Sequence, residues 1–530
     1  MKATTDRDYT FSLALLTLLG FSLRALLAWR GALMGDEVGT WLYIARDYGF
    51  ILSNFLDPWL SMGPFIACTK AVSSVLGDAP WALRLLSVLA GTLTIPLVAA
   101  VIRRLDGKPT TALVGALLMA CNSYAVGQGA NARSYAMVLL FTLWAFHALL
   151  GWWRQPRWSW GWAFAAAASL SLLSQFCTVY FLAALAVLFL WCRSAERGLP
   201  WTASFWTGLS TLVIPVAMAI APAVAYYTGI FPEMRAYRDY WGAAPPAPVN
   251  YLADMVGSYF GLGWRALPAL LLALGGWIAD VRLTPRRALV LGVCLAVPVF
   301  LYAASGTQIF PWASTRYLVF LLPLLLIQMS FGLARLGRTR LRLAAALALV
   351  LATWWPGLRT QLEEADQLPW RAVHAYLEPR WQPGDAIIAP GHGHLHLLPG
   401  CKAQPWRVVP ARDYVKGPSG QTQQLFMVTV QAPLDGASHT QRFGNIFVHE
   451  YQGSDRSALA RQVVQGIQQF FDGRAQPDHM PLARDGVDLM QSLSWTGDER
   501  RTMERIYYHA FIRCRDGHFM NGKLRDRTFP

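Results

Sequence analysis

The chain has 530 residues, of which 54% are hydrophobic and 13% aromatic, and its formal net charge is +15. The apolar residues come in blocks of helical length, which excludes an ordinary soluble protein and indicates a polytopic membrane protein. The basic residues form short clusters between these blocks rather than one patch, so the charge predicts membrane topology and argues against a nucleic-acid partner.

About eleven apolar segments are long enough to cross a bilayer, counting the shorter ones. The first, Phe11 to Trp29, has no small-residue cleavage site after it, so we expect a retained helix rather than a signal peptide. The others lie at about Trp81 to Ile102, Thr111 to Val126, Ser134 to Trp153, Trp160 to Ser174, Val179 to Trp191, Phe205 to Ala225, Ala266 to Ala279, Ala288 to Ala304, Tyr317 to Ala334 and Leu343 to Trp355.

Alternate connections carry clustered arginines, on the same side as Lys2 and Arg7. Examples are Arg103 with Arg104, Arg286 with Arg287, and Arg335 with Arg338. The positive-inside rule places that side in the cytoplasm. The loop after the first span and the C-terminal tail then face outward, which predicts a bacterial inner-membrane protein with a periplasmic C-terminal domain.

The tail changes character at about Gly357, which predicts a membrane domain over 1–356 and a soluble α/β domain over 357–530. Helical periodicity covers Trp370 to Trp381 and Ser457 to Phe471, and short runs at Ala386 to Ala389, Leu425 to Val430 and Arg505 to Phe511 are typical of strands. Cys401 and Cys514 are the only cysteines placed to form a disulfide in this domain, and the sequence leaves their pairing open. His392, His394 and His396 would share one face of a strand, which is more typical of a surface strand than of a metal site.

Two adjacent carboxylates, Asp36 and Glu37, follow directly on the first span in the segment MGDEVGTWLY. They fall where the chain leaves lipid, on the side predicted to be extracytoplasmic. One interpretation is an acidic interfacial loop, and the other is a catalytic pair.

Three arginines open later spans on the same predicted face: Arg84, Arg133 and Arg316. They run against the positive-inside bias, and ionisable residues at membrane depth are functional candidates by default. Tyr135 and Tyr317 follow two of them closely. Arginine forks bind phosphate and a carboxylate can act as general base, so the set favours group transfer from a lipid phosphate to a hydroxyl. The alternatives are a snorkelling Arg84 and purely structural roles for the other two arginines.

Five stretches together resemble a known family. They are the GDEVGTW box at Gly35 to Trp41, the segments Asp78 to Ala99 and Gly129 to Met137, and the segments Ser314 to Leu325 and Leu368 to Ile388. In their order along the chain and in the side of the membrane on which they are predicted to lie, these stretches are similar to those of the bacterial protein O-mannosyltransferase and aminoarabinose transferase group. That resemblance implies a GT-C fold, a polyprenyl-phosphate-sugar donor, and a glycan, lipid or protein acceptor at the membrane.

The resemblance also implies residue roles. Asp36 matches the catalytic base and Glu37 its partner for acceptor or metal, which leaves a divalent metal at this pair as an open alternative. Arg84, Arg133 and Arg316, with Tyr135 and Tyr317, match positions that organise the donor phosphate. This chain departs from its relatives by an amide, Asn131, in place of a carboxylate, and by Gln175 in place of a histidine.

The Tyr226 to Gly263 segment is predicted to be a long loop, either a substrate lid or an ordinary interfacial segment. Its candidate substrate contacts are Glu233, Arg235, Arg238 and Asp239.

We expect an inverting glycosyltransferase that moves one sugar at the periplasmic face. The alternatives are a transporter or flippase, which predicts charge on interrupted helices, and a non-catalytic scaffold with a periplasmic binding domain.

Overall fold

The computed structural model divides the chain into two compact units, which are described separately. The first, the membrane unit, comprises residues 1–31 and 43–365, and the second, the C-terminal unit, comprises 32–42 and 366–530. The residues that the structure describes are 6–30, 36–44, 47–53, 62–77, 79–197, 210–218, 220–229, 248–261, 263–309, 315–336, 339–365, 368–382, 385–388, 423–430, 434–443, 446–453 and 455–474.

The membrane unit is built from helices. In chain order they are α1 (Asp6–Arg30), α2 (Asp36–Ile44, which begins in the C-terminal unit), α3 (Tyr48–Ser53), α4 (Gly63–Leu76), α5 (Pro80–Asp106), α6 (Pro109–Cys121), α7 (Ser123–Gly129), α8 (Tyr135–Arg154), α9 (Trp158–Ser174), α10 (Thr178–Arg197), α11 (Ser210–Gly229), α12 (Pro248–Phe260), α13 (Leu267–Leu283), α14 (Pro285–Ile309), α15 (Leu321–Leu336) and α16 (Arg340–Ala365). Short 3₁₀ turns lie at Gly263–Ala266 and Thr315–Leu318.

Seven described helices are long and apolar enough to cross a membrane, or eight if α6 and α7 form one bent span. Three shorter apolar helices occur at Gly63–Leu76, Thr178–Leu188 and Leu321–Leu336. The prediction of a polytopic helical membrane protein with a small C-terminal α/β part is confirmed.

The span predicted over Thr111 to Val126 is not continuous. It breaks at Asn122 into α6 and α7, which meet at 62°. Asn122 has extended backbone, and its side-chain oxygen accepts a hydrogen bond from Ala125 N at 2.9 Å, capping α7. Its amide nitrogen donates to the carbonyl of Tyr259 at 2.8 Å. Hydropathy missed this break because a capping asparagine barely lowers the apolar average.

The segment predicted to be a loop from Tyr226 to Gly263 contains helix at both ends. Tyr226 lies within α11, and α12 covers Pro248–Phe260. Proline at the first position of α12 suits a helix start because its missing N–H has no partner to lose there.

A cluster of polar and charged side chains lies near the C-terminal end of α5 and near the ends of α13 and α15. The Asp280 carboxylate is 0% exposed and accepts hydrogen bonds from Arg287 (Nε to Oδ2, 3.0 Å), from Arg335 and from Gln328. Arg287 also donates to Asp106 at 2.8 Å. Two of the arginines used to predict topology, Arg287 and Arg335, are therefore also partners of one buried carboxylate.

The C-terminal unit contains α17 (Leu368–Leu377), a four-stranded sheet and α18 (Arg456–Arg474). The strands are β1 (Ala386–Ile388), β2 (Gln423–Val430), β3 (His439–Phe443) and β4 (Ile446–Gly453), in the order β1-β2-β4-β3. β1 pairs with β2 in parallel, and the other pairs are antiparallel.

The core of this unit joins α17 to the sheet through Val373, Leu377, Phe426 and Val448. The strands predicted at 386–389 and 425–430 and both predicted helices are confirmed in kind. The strand predicted at Arg505 to Phe511, the three histidines, Cys401 and Cys514 lie outside the described residues.

Candidate active site

The first turns of α5 hold two parts of the membrane unit together. α5 starts with proline at its first position, after Ala79 in extended conformation. Arg84 is 4% exposed, and its Nη1 donates to the carbonyl of Ala28 at 3.1 Å, near the end of α1. One turn later, the Ser87 hydroxyl donates to the carbonyl of Arg133 at 2.9 Å. α5 thus fixes both the end of the first span and the turn that carries Arg133.

The turn between α7 and α8 is rich in buried polar atoms. Arg133 N donates to the carbonyl of Asn131 at 2.7 Å, which tightens the turn. Within the described part of the chain, Gln128 Oε1, Asn131 Oδ1 and Ser134 Oγ are buried and make no hydrogen bond. Buried polar groups normally have partners, so their concentration here marks a place where a polar ligand would be stabilised.

Arg316 lies in the 3₁₀ turn before α15 and faces two aromatic rings. Its Cζ is 5.9 Å from the ring centre of Tyr135, the first residue of α8, and 5.8 Å from that of Tyr317. These distances fall within the range of cation–π attraction. Arg316 and Arg133 both interact electrostatically with the Tyr317 hydroxyl. The structure therefore brings together four of the five predicted donor-site residues, and Arg84 is linked to them through α5.

Such a set can bind an anion. Two guanidinium groups and two phenol hydroxyls supply many hydrogen-bond donors and no fixed negative charge. Guanidinium forks match the geometry of phosphate oxygens.

The acidic pair begins α2. Asp36 is the first residue of that helix, and the Glu37 side chain is 5% exposed. At the other end of the helix, Lys70 of α4 donates from Nζ to the carbonyl of Ile44 at 2.7 Å, and its ammonium lies 5.9 Å from the Tyr48 ring centre. A cation at a helix C-terminus is electrostatically favourable. Lys70 has no predicted role in the sequence, and its only signal there is a lone lysine in an apolar segment.

The predicted substrate-loop residues Glu233, Arg235, Arg238 and Asp239 lie outside the described residues. Among the residues that are described, no three His, Cys, Asp or Glu side chains come together as a metal site. Asp36 and Glu37 alone would supply too few ligands to hold a divalent ion without water or substrate oxygens.

Residues 62–226 match the family model of dolichyl-phosphate-mannose-protein mannosyltransferase. The matched stretch includes Arg84, Arg133 and Tyr135, whereas Asp36 and Arg316 lie outside it. No curated protein matches the chain in sequence.

Several solved structures are similar to this chain, and ArnT shares its fold. ArnT from Cupriavidus metallidurans in the apo state superimposes with a TM-score of 0.56 at 15% identity, covering 83% of this chain and 98% of ArnT. The same enzyme bound to undecaprenyl phosphate gives a TM-score of 0.56 at 15% identity, covering 82% and 97%. The oligosaccharyltransferase AglB from Archaeoglobus fulgidus gives 0.47 at 11% identity, covering 79% and 69%.

The predicted resemblance to polyprenyl-phosphate-sugar-dependent glycosyltransferases is confirmed by the family match and by the shared fold of ArnT. The chain has the GT-C fold that ArnT shares, and its residues 62–226 match a mannosyltransferase family model.

Proposed function

We propose that this protein transfers one sugar, with inversion, from a polyprenyl-phosphate donor to an acceptor hydroxyl at the periplasmic face of a bacterial inner membrane. The acceptor is a glycan, a lipid or a protein. The observation that carries the proposal is the grouping of Arg133, Tyr135, Arg316 and Tyr317 where the broken α6–α7 span leads into α8.

Arg133 and Arg316 are the proposed phosphate ligands. Both guanidinium groups interact electrostatically with the hydroxyl of Tyr317, and Arg316 also lies over the rings of Tyr135 and Tyr317. ArnT, which shares the fold, has been solved with undecaprenyl phosphate, and this supports a lipid phosphate as the anion. Arg84 contributes to the same site by holding the end of α1 through Ala28.

In the proposed reaction the acceptor hydroxyl loses its proton to the Asp36 carboxylate. The hydroxyl oxygen attacks the anomeric carbon, and the bond from that carbon to the phosphate oxygen breaks. The electron pair leaves with the phosphate, whose negative charge the arginines stabilise. Glu37 orients the acceptor or holds a divalent ion, and no step requires that ion.

Two buried hydrogen-bond acceptors support a position for the donor sugar. Gln128 Oε1 and Asn131 Oδ1 are buried beside the Arg133 turn and make no hydrogen bond in the described structure. Carbonyl oxygens of this kind accept hydrogen bonds from sugar hydroxyls. We therefore place the donor sugar against this turn, where the amide of Asn131 replaces the carboxylate of relatives.

Binding of undecaprenyl phosphate to the purified full chain tests the donor site. Because each charge-assisted hydrogen bond contributes about 1.5–3 kcal/mol, we expect Arg133→Ala and Arg316→Ala each to weaken binding about tenfold or more. Arg154→Ala is the matched control, because Arg154 ends the helix that Tyr135 begins. Equal affinity in all four proteins would overturn the donor site.

The chemical step is tested by mass spectrometry of lipids that copurify with the wild type and with Asp36→Asn. We expect the variant to retain a sugar-linked polyprenyl phosphate that the wild type has turned over. If neither form carries a polyprenyl lipid, and Asp36→Asn cells keep every surface glycan, the transferase assignment is wrong.

A further inference from the structure

A charged residue lies inside the first span. Arg24 of α1 is 0% exposed, and its guanidinium donates to three backbone carbonyls: Nη1 to Gly20 at 2.9 Å and to Ala120 at 3.3 Å, and Nη2 to Met119 at 3.1 Å. No carboxylate pairs with it among the described residues. A buried arginine without a counter-ion is costly in a membrane, so its contacts need an explanation.

Two of those carbonyls belong to the last turn of α6. The break at Asn122 ends the helical hydrogen bonds there, which leaves the final carbonyls without their usual N–H donors. Lipid offers no water to replace those donors. Arg24 supplies them, and its positive charge also lies at the negative end of the helix dipole.

The side chain of Arg24 occupies a slot that two glycines keep open. A Cβ at Gly129, the last residue of α7, would lie 2.7 Å from Arg24 Nε and 2.8 Å from its Cδ. A Cβ at Gly91 of α5 would lie 2.8 Å from Arg24 Nε and 3.1 Å from Gly129 Cα. α5, α7 and the Arg24 side chain therefore pack closely together, and a residue larger than glycine at position 91 or 129 would separate them.

We propose that Arg24 is a positioning residue that clamps the elbow between α6 and α7 and so fixes the turn carrying Arg133. The turn is held from two directions, by Arg24 against Gly129 at its start and by Ser87 on the Arg133 carbonyl at its end. This inference rests on the proposed function, in which Arg133 binds the donor phosphate.

Buried charge at an interrupted helix is also expected of a transporter. The contacts of Arg24 argue for the clamp instead, because both terminal nitrogens are used on backbone carbonyls and the side chain has no exposed surface. A residue that guides an ion or substrate would face a polar path.

The test measures affinity for undecaprenyl phosphate in nanodisc-reconstituted full-length protein, together with thermal stability. Arg24→Met removes the donors while keeping an apolar side chain, and we expect about tenfold weaker binding because small displacements of a binding group are costly. Arg24→Lys keeps a cation that can reach the helix end, and it should restore part of the affinity.

A control variant at the other end of the bundle distinguishes a positioning role of Arg24 from a purely structural one. Asp280→Asn disturbs the buried ion cluster, and we expect it to lower thermal stability while leaving the affinity unchanged. If Arg24→Met lowers stability as much as Asp280→Asn and binds undecaprenyl phosphate like the wild type, Arg24 does not position the site.

A double-mutant cycle between Arg24 and Gly129 gives a second measurement. Gly129→Ala alone should weaken binding because its methyl group meets the Arg24 side chain. In an Arg24→Ala background that clash is absent, so Gly129→Ala should add little, a non-additivity expected only of residues in contact. Additive effects would contradict the clamp.

The two hypotheses fail in different ways. Normal binding by both Arg133→Ala and Arg316→Ala would overturn the proposed donor site, whatever Arg24 does. Weak binding by Arg133→Ala with normal binding by Arg24→Met and Arg24→Lys would overturn only the clamp.

Discussion

The hydroxyl of Ser87 on α5 donates to the backbone carbonyl of Arg133, in the turn between α7 and α8, at 2.9 Å. A serine about two turns into a membrane helix thereby fixes the backbone that carries a candidate phosphate ligand. The bond joins a neutral hydroxyl to a backbone carbonyl, so it affects the position of Arg133 and not its charge.

Replacing Ser87 tests that link. Ser87→Ala removes the hydrogen bond and should cost about 1 kcal/mol of stability, with a larger apparent KM for the donor and little change in the affinity for acceptor. Steady-state kinetics with varied donor lipid, once the donor is known, or undecaprenyl phosphate titration before then, gives the answer. Ser74→Ala, an exposed serine that donates within its own helix, is the control. Equal donor affinity in both variants would contradict the prediction.

The buried carboxylate of Asp280 should be a main determinant of stability. Asp280→Asn leaves Arg287 and Arg335 facing a neutral amide, and removing one partner of a buried ion pair typically costs about 3 kcal/mol or more. We expect a clear fall in the thermal unfolding midpoint of the solubilised protein. Glu363→Gln breaks the exposed pair with Arg359 and should leave the midpoint unchanged. Similar melting of the two variants would show that the cluster contributes little.

Two adjacent glycines of α13 should respond in opposite ways to alanine. A Cβ at Gly276 would lie 2.5 Å from the carbonyl oxygen of Gln328 and 2.9 Å from Gly332 N on α15, whereas a Cβ at Gly275 meets nothing within 4 Å. Gly276→Ala should therefore separate two closely packed helices and cost about 1–3 kcal/mol. Gly275→Ala should be neutral or slightly stabilising, because alanine favours helix. The thermal unfolding midpoints of the two variants test this prediction. Equal destabilisation by both substitutions would argue against close packing at Gly276.

The hydroxyl of Tyr376 in the C-terminal unit should lose its proton at a higher pH than that of an ordinary tyrosine. Burial, and then its hydrogen bond to Glu450 at 2.7 Å, raise the pKa of its hydroxyl to about 12. Because this pKa lies above the ordinary value of 10.0, the stabilisation from the neutral phenol is fully present below about pH 10 and is lost as the pH rises toward about 12. The tyrosinate absorbance of the wild type minus that of Tyr376→Phe should have its midpoint near that upper value. A midpoint at the ordinary tyrosine value would contradict the assignment.

Hydropathy predicted a polytopic helical membrane protein, because lipid requires long apolar segments whose backbone groups are satisfied internally. The arginines and tyrosines of the proposed donor site were also visible in the sequence, since Arg133 and Arg316 run against the predicted topology bias and each has a tyrosine close behind it. Local β propensity and periodicity likewise located β1, β2 and α18.

Other features depend on contacts between distant parts of the chain. β3 and β4 pair from Phe443 with Ile446 onward, and the Gly444-Asn445 dipeptide between them is the turn signal that could have indicated this hairpin. The role of Arg24 is similar. An arginine in an apolar span is a signal in itself, but its partners lie about a hundred residues away at the end of α6.

The sequence by itself determined which segments are apolar enough to enter the membrane, because transfer to lipid is a property of each segment. Only the tertiary structure decided that α6 breaks at Asn122, that Arg24 caps the broken end, and that Arg133 and Arg316 approach one tyrosine. Those arrangements follow from hydrogen bonds and close packing between helices, which no single segment encodes.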